Sequence, residues 1–328
     1  MELLNLENGI NNRLRDFKIQ LLIIVLVILA ALLVQDIYFL HLMILVMIYG
    51  TVALNWNIAV GYSGILHLAQ VPFFVLGGYT SAILAIRFGI SPWIGILVAA
   101  IFVIGLSLAT GVVSMRVKGI YLLFITLGIQ FLMYSIVLYF IEWTNGDIGL
   151  LVPPLEIFGI KISQFNILPS YFIGLTLVVS SLILNKKIID SELGLAIMSL
   201  RDSEDYAISR GVNPFKIKLS VFVLSSWLTG ICGAFYGHYL GTVGPWDLGW
   251  HLVILFLASI VIGGMKSLYG PLLGTFILLF SSELFRAADL YRPTIYGGLM
   301  IITLIFLPKG LISLIPKIID NFSKNTER

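Results

Sequence analysis

The sequence predicts an all-α integral membrane protein of about ten transmembrane helices, some broken or re-entrant, with one short helix standing on the cytoplasmic side. Three observations lead there. Of 328 residues, 59% are hydrophobic and 11% charged, where soluble domains carry roughly 25% charged residues. Apolar runs near the ~20 residues needed to cross hydrocarbon recur along the chain, separated by short Gly, Pro or charged breaks, without the alternation of a membrane β-barrel. The longest charged passage, GLAIMSLRDSEDYAISRGVNPFKIKLSVF at 194–222, stands between two such runs.

The first 18 residues are polar, and the apolar run 19–34 is longer than a cleaved signal's core, so it reads as a retained first span. Further spans are expected at 38–59, 68–86, 93–114, 119–141, 168–185, 218–240, 251–264, 271–285 and 294–308. The pair 251–264 and 271–285 is short for full crossings and suits a re-entrant pair. With the N-terminus inside, the 20 Lys and Arg residues divide 16 to 4 in favour of the inner loops, leaving only Arg87, Lys161, Arg286 and Arg292 outside. The positive-inside rule then places both termini and the segment 186–217 in the cytoplasm, within a single transmembrane domain spanning 1–328. The net charge of +3 comes from loop residues that form no stripe, so no nucleic-acid partner is expected. Cys232, the single cysteine, lies in an apolar run and reads as a small core residue.

Within 186–217, Leu193–Leu200 reads as a short amphipathic helix, and a second helix is expected to begin at Arg201. Asp202 or Ser203 suits its N-cap, and Glu204 and Asp205 favour the positive end of the helix dipole. Arg210 suits the last turn, Gly211 a left-handed C′ position, and Pro214 bars continuation. About eight residues, or ~12 Å, result. Met198, Leu200, Tyr206 and Ile208 would be costly to leave bare on a solvated loop, which marks the segment as a docking element for a cytosolic protein.

The chain has no G-x-x-x-x-G-K-[ST] loop and no Gly-Lys dipeptide, no G-x-S-x-G, no H-E-x-x-H and no cluster among its four histidines. It is expected not to be an enzyme and to bind no cofactor or metal. Six stretches, in order, resemble one family: GYSGILHLAQVPFFVLGGYTSAIL (61–84), KGIYLLFITLG (118–128), TNGDIGL (144–150), the charged segment running on to GAFYGHYLG (233–241), VIGGMKSLYGPLLGT (261–275) and YGGLMIITLIFLPKGL (296–311). The chain is similar to the membrane permease subunits of bacterial branched-chain amino acid ABC importers.

That resemblance implies a location in the bacterial inner membrane and four kinds of partner: membrane lipid, two cytosolic ATPase subunits that use ATP and Mg, a second related permease, and an extracytoplasmic substrate-binding protein. It implies that Leu200, Arg201, Asp202, Ser203, Glu204, Tyr206, Arg210 and Gly211 couple to an ATPase. It also places the binding protein over Glu142, Asn145 and Asp147, with Glu156 beside them. From the residues alone, Thr144–Gly149 reads as a tight turn.

For the route, Gly61, Gly64 and Pro72 are expected to break or kink a helix around His67 and Gln70, and Gly263, Gly264 and Gly270-Pro271 to interrupt the second half. Gly77 and Gly78 read instead as close helix packing. His67 is either route-lining or a hydrogen-bonded core histidine. At Ile65, His67, Ala69 and Gln70 the chain departs from the family's usual Gln, Ser, Gly and His, which bears on the substrate. Glu283 and Arg286 are spaced to pair across a turn. The alternatives are an ion-coupled carrier using Glu283, His67 or Asp247, and an ABC permease for urea or short amides.

Overall fold

The structure, a computed structural model, describes residues 36–117, 119–157, 160–162, 166–284, 292–307 and 310–313. The expected first span, 19–34, lies outside them. The chain forms α1 (Ile37–Asn57), continued by a π turn (Ile58–Tyr62), then α2 (Gln70–Phe88), α3 (Pro92–Ser114), α4 (Ile120–Tyr139) and α5 (Ile167–Ile189). Next come two short helices, α6 (Glu192–Asp202) and α7 (Glu204–Ser209), followed by α8 (Pro214–Leu240), α9 (Trp250–Gly263), α10 (Gly270–Leu284) and α11 (Arg292–Phe306).

Among the described residues, seven segments are long and apolar enough to cross a membrane, the last of them Thr294–Ser313, fewer than the ten expected. Besides the span outside the described residues, the difference comes from α9 and α10, which at 14 and 15 residues reach only about 21–22 Å of a ~30 Å hydrocarbon core. They fold back on one another through glycine. A Cβ on Gly263 would lie 1.8 Å from Gly270 O, and one on Gly274 would lie 2.0 Å from Ser259 O.

The 27-residue α8 lies against α1, α2 and α3 at the centre. Its contact with α2 is backbone against backbone: a Cβ on Gly77 would lie 2.3 Å from Gly230 O, and one on Gly78 would lie 3.0 Å from Gly233 O. This is the small-residue packing the sequence suggested, and it suits a membrane interior, where helices associate by close fit and not by escape from water. Tyr49, Phe74, Tyr236 and Phe256 fill the junction of α1, α2, α8 and α9 with ring centroids 5.1–6.2 Å apart. Polar side chains join α1 to α5: Asn55 Oδ1 accepts from Ser181 Oγ at 2.5 Å and from Asn185 Nδ2 at 3.2 Å. Phe124, Phe131 and Leu132 on α4 and Ile301, Ile305 and Phe306 on α11 are exposed, an outward apolar surface that suits lipid.

Loops gather at two ends. One end holds 88–91, 140–157, 160–162 and 241–249, where four short strands, not expected from the sequence, pair antiparallel: β1 (Leu150–Leu151) with β4 (Thr242–Val243), and β2 (Leu155–Ile157) with β3 (Ile160–Ile162). The other end holds 62–69, 115–117, α6–α7, 264–269 and 310–313.

Candidate functional site

The charged segment is two capped helices hinged on Ser203. Ser191 Oγ caps α6 by accepting from Gly194 N at 3.4 Å. Ser203, extended at φ −158° and ψ 108°, ends α6 and caps α7, its Oγ accepting from Tyr206 N at 3.4 Å. The expected helix boundary is corrected: α6 runs through Arg201 and Asp202, and α7 has six residues, not about eight. Asp202 and Ser203 were equal candidates on composition; only Ser203 has the extended backbone that turns a side-chain oxygen onto the next N–H groups.

The end of α7 follows the sequence reading. Gly211 sits at φ +85°, with Val212 N donating to Ala207 O at 3.1 Å and Gly211 N to Ile208 O at 2.9 Å, the paired bonds of a Schellman cap. Pro214 does more than block α7: it is the first residue of α8, which Asn213 caps at 3.1 Å.

The eight residues singled out here divide by direction. Leu200 is buried, Arg201 donates from Nη1 to Gly61 O at 2.5 Å, and Glu204 pairs with Lys218 at 3.1 Å, so these three face the rest of the chain. Asp202, Ser203, Tyr206, Arg210 and Gly211 are exposed. Tyr206 is 57% and Ile208 48% exposed, while Ala207 between them is buried. Arg210 lies over the Tyr206 ring at 5.2 Å and donates to its hydroxyl at 2.8 Å.

The two glycine breaks meet at this end. α1 leaves its ladder through the π turn, Ser63 N donating to Ile58 O at 3.0 Å, and Gly64 turns the chain at φ +70°. A Cβ on Gly61 would lie 2.9 Å from Lys266 N, and Asn57 Nδ2 donates to Ser267 O at 2.9 Å. Gly264 lies at φ +120°, and a Cβ on Gly310 would lie 2.3 Å from its Cα. Gly61, Gly263 and Gly264 therefore serve close backbone approach at a joint. A groove of about 510 Å³ runs beside the joint between Gly64, Leu66, Leu123, Arg201, Glu204 and Lys218.

The other expected route residues sit differently. Pro72 does not kink a helix: it occupies the first turn of α2, where its missing N–H has no helical partner to lose. Gln70 is buried and ties α2 to α8, Nε2 donating to Ser225 O at 2.8 Å and Thr229 Oγ1 at 2.5 Å. His67 is buried in the connection between α1 and α2, 4.5 Å from the Phe222 ring and 5.9 Å from that of Trp56. Contrary to a hydrogen-bonded core histidine, neither ring nitrogen has a partner among the described residues. Burial lowers its pKa to about 3, so the ring is neutral.

At the opposite end the chain turns at Asn145, φ +61°, whose Nδ2 donates to Gly149 O at 2.9 Å. Glu142, Asp147 and Glu156 are exposed, and Arg87 holds the turn by donating to Glu142 O. Glu283 is engaged within the protein; Arg286, its expected partner, lies outside the described residues.

Asp247, considered above only as an ion carrier, is buried beneath this end. It accepts from Gly244 N at 3.1 Å and from Tyr236 OH at 3.2 Å. Burial raises its pKa from 3.8 to about 6 against those two hydrogen bonds. The folded state therefore holds this proton more tightly than the unfolded one. The stabilisation it gives is complete below about pH 4 and is lost as the pH climbs through 6, a change on the order of 3 kcal/mol. Asp247→Asn keeps an acceptor but does not titrate. Thermal unfolding in detergent should show the wild-type protein losing stability relative to Asp247→Asn between pH 4 and pH 7; parallel curves would mean that the carboxylate is solvated.

Comparisons with known proteins bear on most of the chain. A family profile described as "Branched-chain amino acid transport system / permease component" matches residues 38–307. The high-affinity branched-chain amino acid transport system permease protein LivM of Escherichia coli (strain K12) is 30% identical over 290 residues, covering 82% of this chain and 68% of that protein. BraD of Pseudomonas aeruginosa, of the same description, is 24% identical over 80% of this chain and 91% of its own length. LivH of E. coli K12 is 23% identical over the same shares. No solved structure matches. With seven apolar helices of spanning length and a match over most of its length, the chain is a multi-pass membrane protein that belongs to the family of branched-chain amino acid transport system permease components.

Proposed function

We propose that the chain is the transmembrane permease subunit of an ATP-driven ABC importer for branched-chain amino acids or a similar small polar solute, working by alternating access. Its α6–α7 segment faces the cytoplasm and docks one of two ATPase subunits, which use the ATP and Mg. A second, related permease completes the membrane path. A substrate-binding protein delivers solute at the end carrying Glu142, Asn145 and Asp147. The protein lies in the bacterial inner membrane with both termini cytoplasmic.

The observation that supports this best is α7 itself: a six-residue helix fixed by a serine cap and a Schellman stop that holds Tyr206 and Ile208 out from the bundle beside a joint of broken helices. An ion-coupled carrier fits less well. His67 packs on Phe222 and Asp247 on Tyr236, fourteen residues or about 21 Å apart along α8, so these two candidates share no site.

The test is uptake by proteoliposomes holding the complete complex, with leucine, isoleucine, valine and urea as solutes. Uptake should need both ATP and the binding protein. Uptake by this chain alone, driven by a proton gradient, would overturn the reading.

A narrower expectation concerns Gly211. A Cβ there meets nothing within 4 Å, so the cost of substitution is the backbone's alone, ~1 kcal/mol for alanine and somewhat more for β-branched valine. Gly211→Val should insert normally yet show several-fold weaker ATPase co-purification and reduced stimulated hydrolysis, with Gly211→Ala milder. Full coupling in both would reduce α7 to a solvated loop.

A further inference from the structure

We infer that Arg201 is a positioning residue that ties the α6–α7 segment to the break in α1, so that displacement of that segment is delivered to the joint formed by 58–64 and 264–270. This rests on the proposed coupling to an ATPase and names the residue through which it passes. In an uninterrupted helix Gly61 O would accept from Ile65 N. Here Ile65 N donates to Ala59 O at 2.8 Å and to Ser63 Oγ at 3.3 Å. The π turn thus leaves the Gly61 carbonyl free of the ladder, and a freed backbone group that is buried must find another donor. Arg201 supplies it, Nη1 to Gly61 O at 2.5 Å. The arginine stem lies on the same break, Cγ 3.2 Å and Nε 3.6 Å from where a Cβ of Gly64 would stand.

The far side of the break is fixed just as closely. Gly61 abuts Lys266 N, and Asn57 holds Ser267 O. Lys266 has φ +64°, a conformation that costs a non-glycine residue energy and persists only where its surroundings enforce it. Arg201, Gly61 and Lys266 therefore form a continuous line from the end of α6, through the break in α1, to the turn between α9 and α10. Another polar link between the segment and the bundle, Glu204 with Lys218, is a partly exposed ion pair, a class of contact that holds geometry weakly. A charge-assisted bond from the part-buried Arg201 to a freed carbonyl holds it better.

The test uses the full complex in proteoliposomes and measures solute moved per ATP hydrolysed. Arg201→Ala should keep ATPase co-purification and basal hydrolysis while this ratio falls at least about tenfold, within the usual range of coupling between sites. A second readout reports on the joint itself. The chain's one native cysteine, Cys232, is buried, and Leu66 is 40% exposed beside the break. In Leu66→Cys, ATP should change the rate of labelling by a maleimide when Arg201 is present, and should not in the Arg201→Ala background, an effect that a purely stabilising role would not produce.

Should Arg201→Ala fail to insert, Arg201→Lys takes its place. It keeps charge and most of the stem but loses the planar fork, and the same fall in ratio is expected. An unchanged ratio with ATP-dependent labelling intact would overturn the inference, as would loss of ATPase binding, which would make Arg201 a docking residue. Failure of the unsubstituted complex to couple uptake to ATP would instead refute the proposed function.

Discussion

Gly233→Ala is expected to yield little or no folded protein, although it adds one methyl group. The Cβ would stand 1.7 Å from Phe74 O, 2.6 Å from Phe74 C and 3.1 Å from Phe74 Cα. All three are backbone atoms of α2, so no rotamer change can make room. One turn away Gly77 and Gly230 are in similar contact, so the helices cannot pivot about Gly233 without losing that fit too. Separating α2 from α8 would disturb Phe74, which packs on Tyr236 at 5.1 Å, and the bonds from Gln70 to Ser225 and Thr229. Overpacking a side chain usually costs 1–3 kcal/mol; with only backbone to push against, roughly 3–5 kcal/mol is expected. Gly105→Ala and Gly128→Ala are the controls. Both lie within helices with nothing within 4 Å of the added atom, so alanine should be neutral or stabilise by about 0.5–1 kcal/mol. The yield of monodisperse protein in detergent and its unfolding temperature check all three variants. A Gly233→Ala protein as abundant and stable as the controls would mean that α2 and α8 stand further apart.

These contacts also show where the sequence was legible. Span positions were, because hydrocarbon thickness imposes a length that composition reveals: the apolar run 93–114 became Pro92–Ser114, and 168–185 became Ile167–Ile189. The caps of α7 were legible too, since Ser203 and Gly211 act on backbone groups within three residues of themselves. The pairing of faces was not. A uniformly apolar helix has little periodicity, so Gly77 suggested close packing without saying that Gly230 would be its partner. Arg201 read as the start of the second short helix, yet it lies near the end of the first, and only the fold brings it to a carbonyl 140 positions away. Pro72 looked like a kink because its distance from the helix start was unknown, and of the two readings of His67 the hydrogen-bonded one rested on buried polar groups usually being paired.

On the proposed docking of an ATPase subunit at α7, the second large effect is expected on assembly. Tyr206→Ala combined with Ile208→Ala should weaken ATPase association by about 10–100-fold while leaving the permease inserted and as stable as before. Truncating a large side chain at the centre of an interface commonly costs 2 kcal/mol or more, whereas two side chains 57% and 48% exposed contribute little to the isolated fold. Their geometry is set before any partner arrives. Ala207 anchors the helix from beneath, Ser203 and Gly211 fix its two ends, and Arg210 holds the tyrosine ring by stacking and by its bond to the hydroxyl. Less freedom is then lost on docking. Arg210→Ala, which frees the ring without removing it, should therefore fall between the wild type and the double variant. Asp205→Ala, on the same helix and exposed, should change association little at moderate salt, where lone surface charges are screened. Co-purification of the ATPase with each variant, read beside detergent unfolding curves, decides the matter. Undiminished association of the double variant would place the ATPase contact somewhere other than α7.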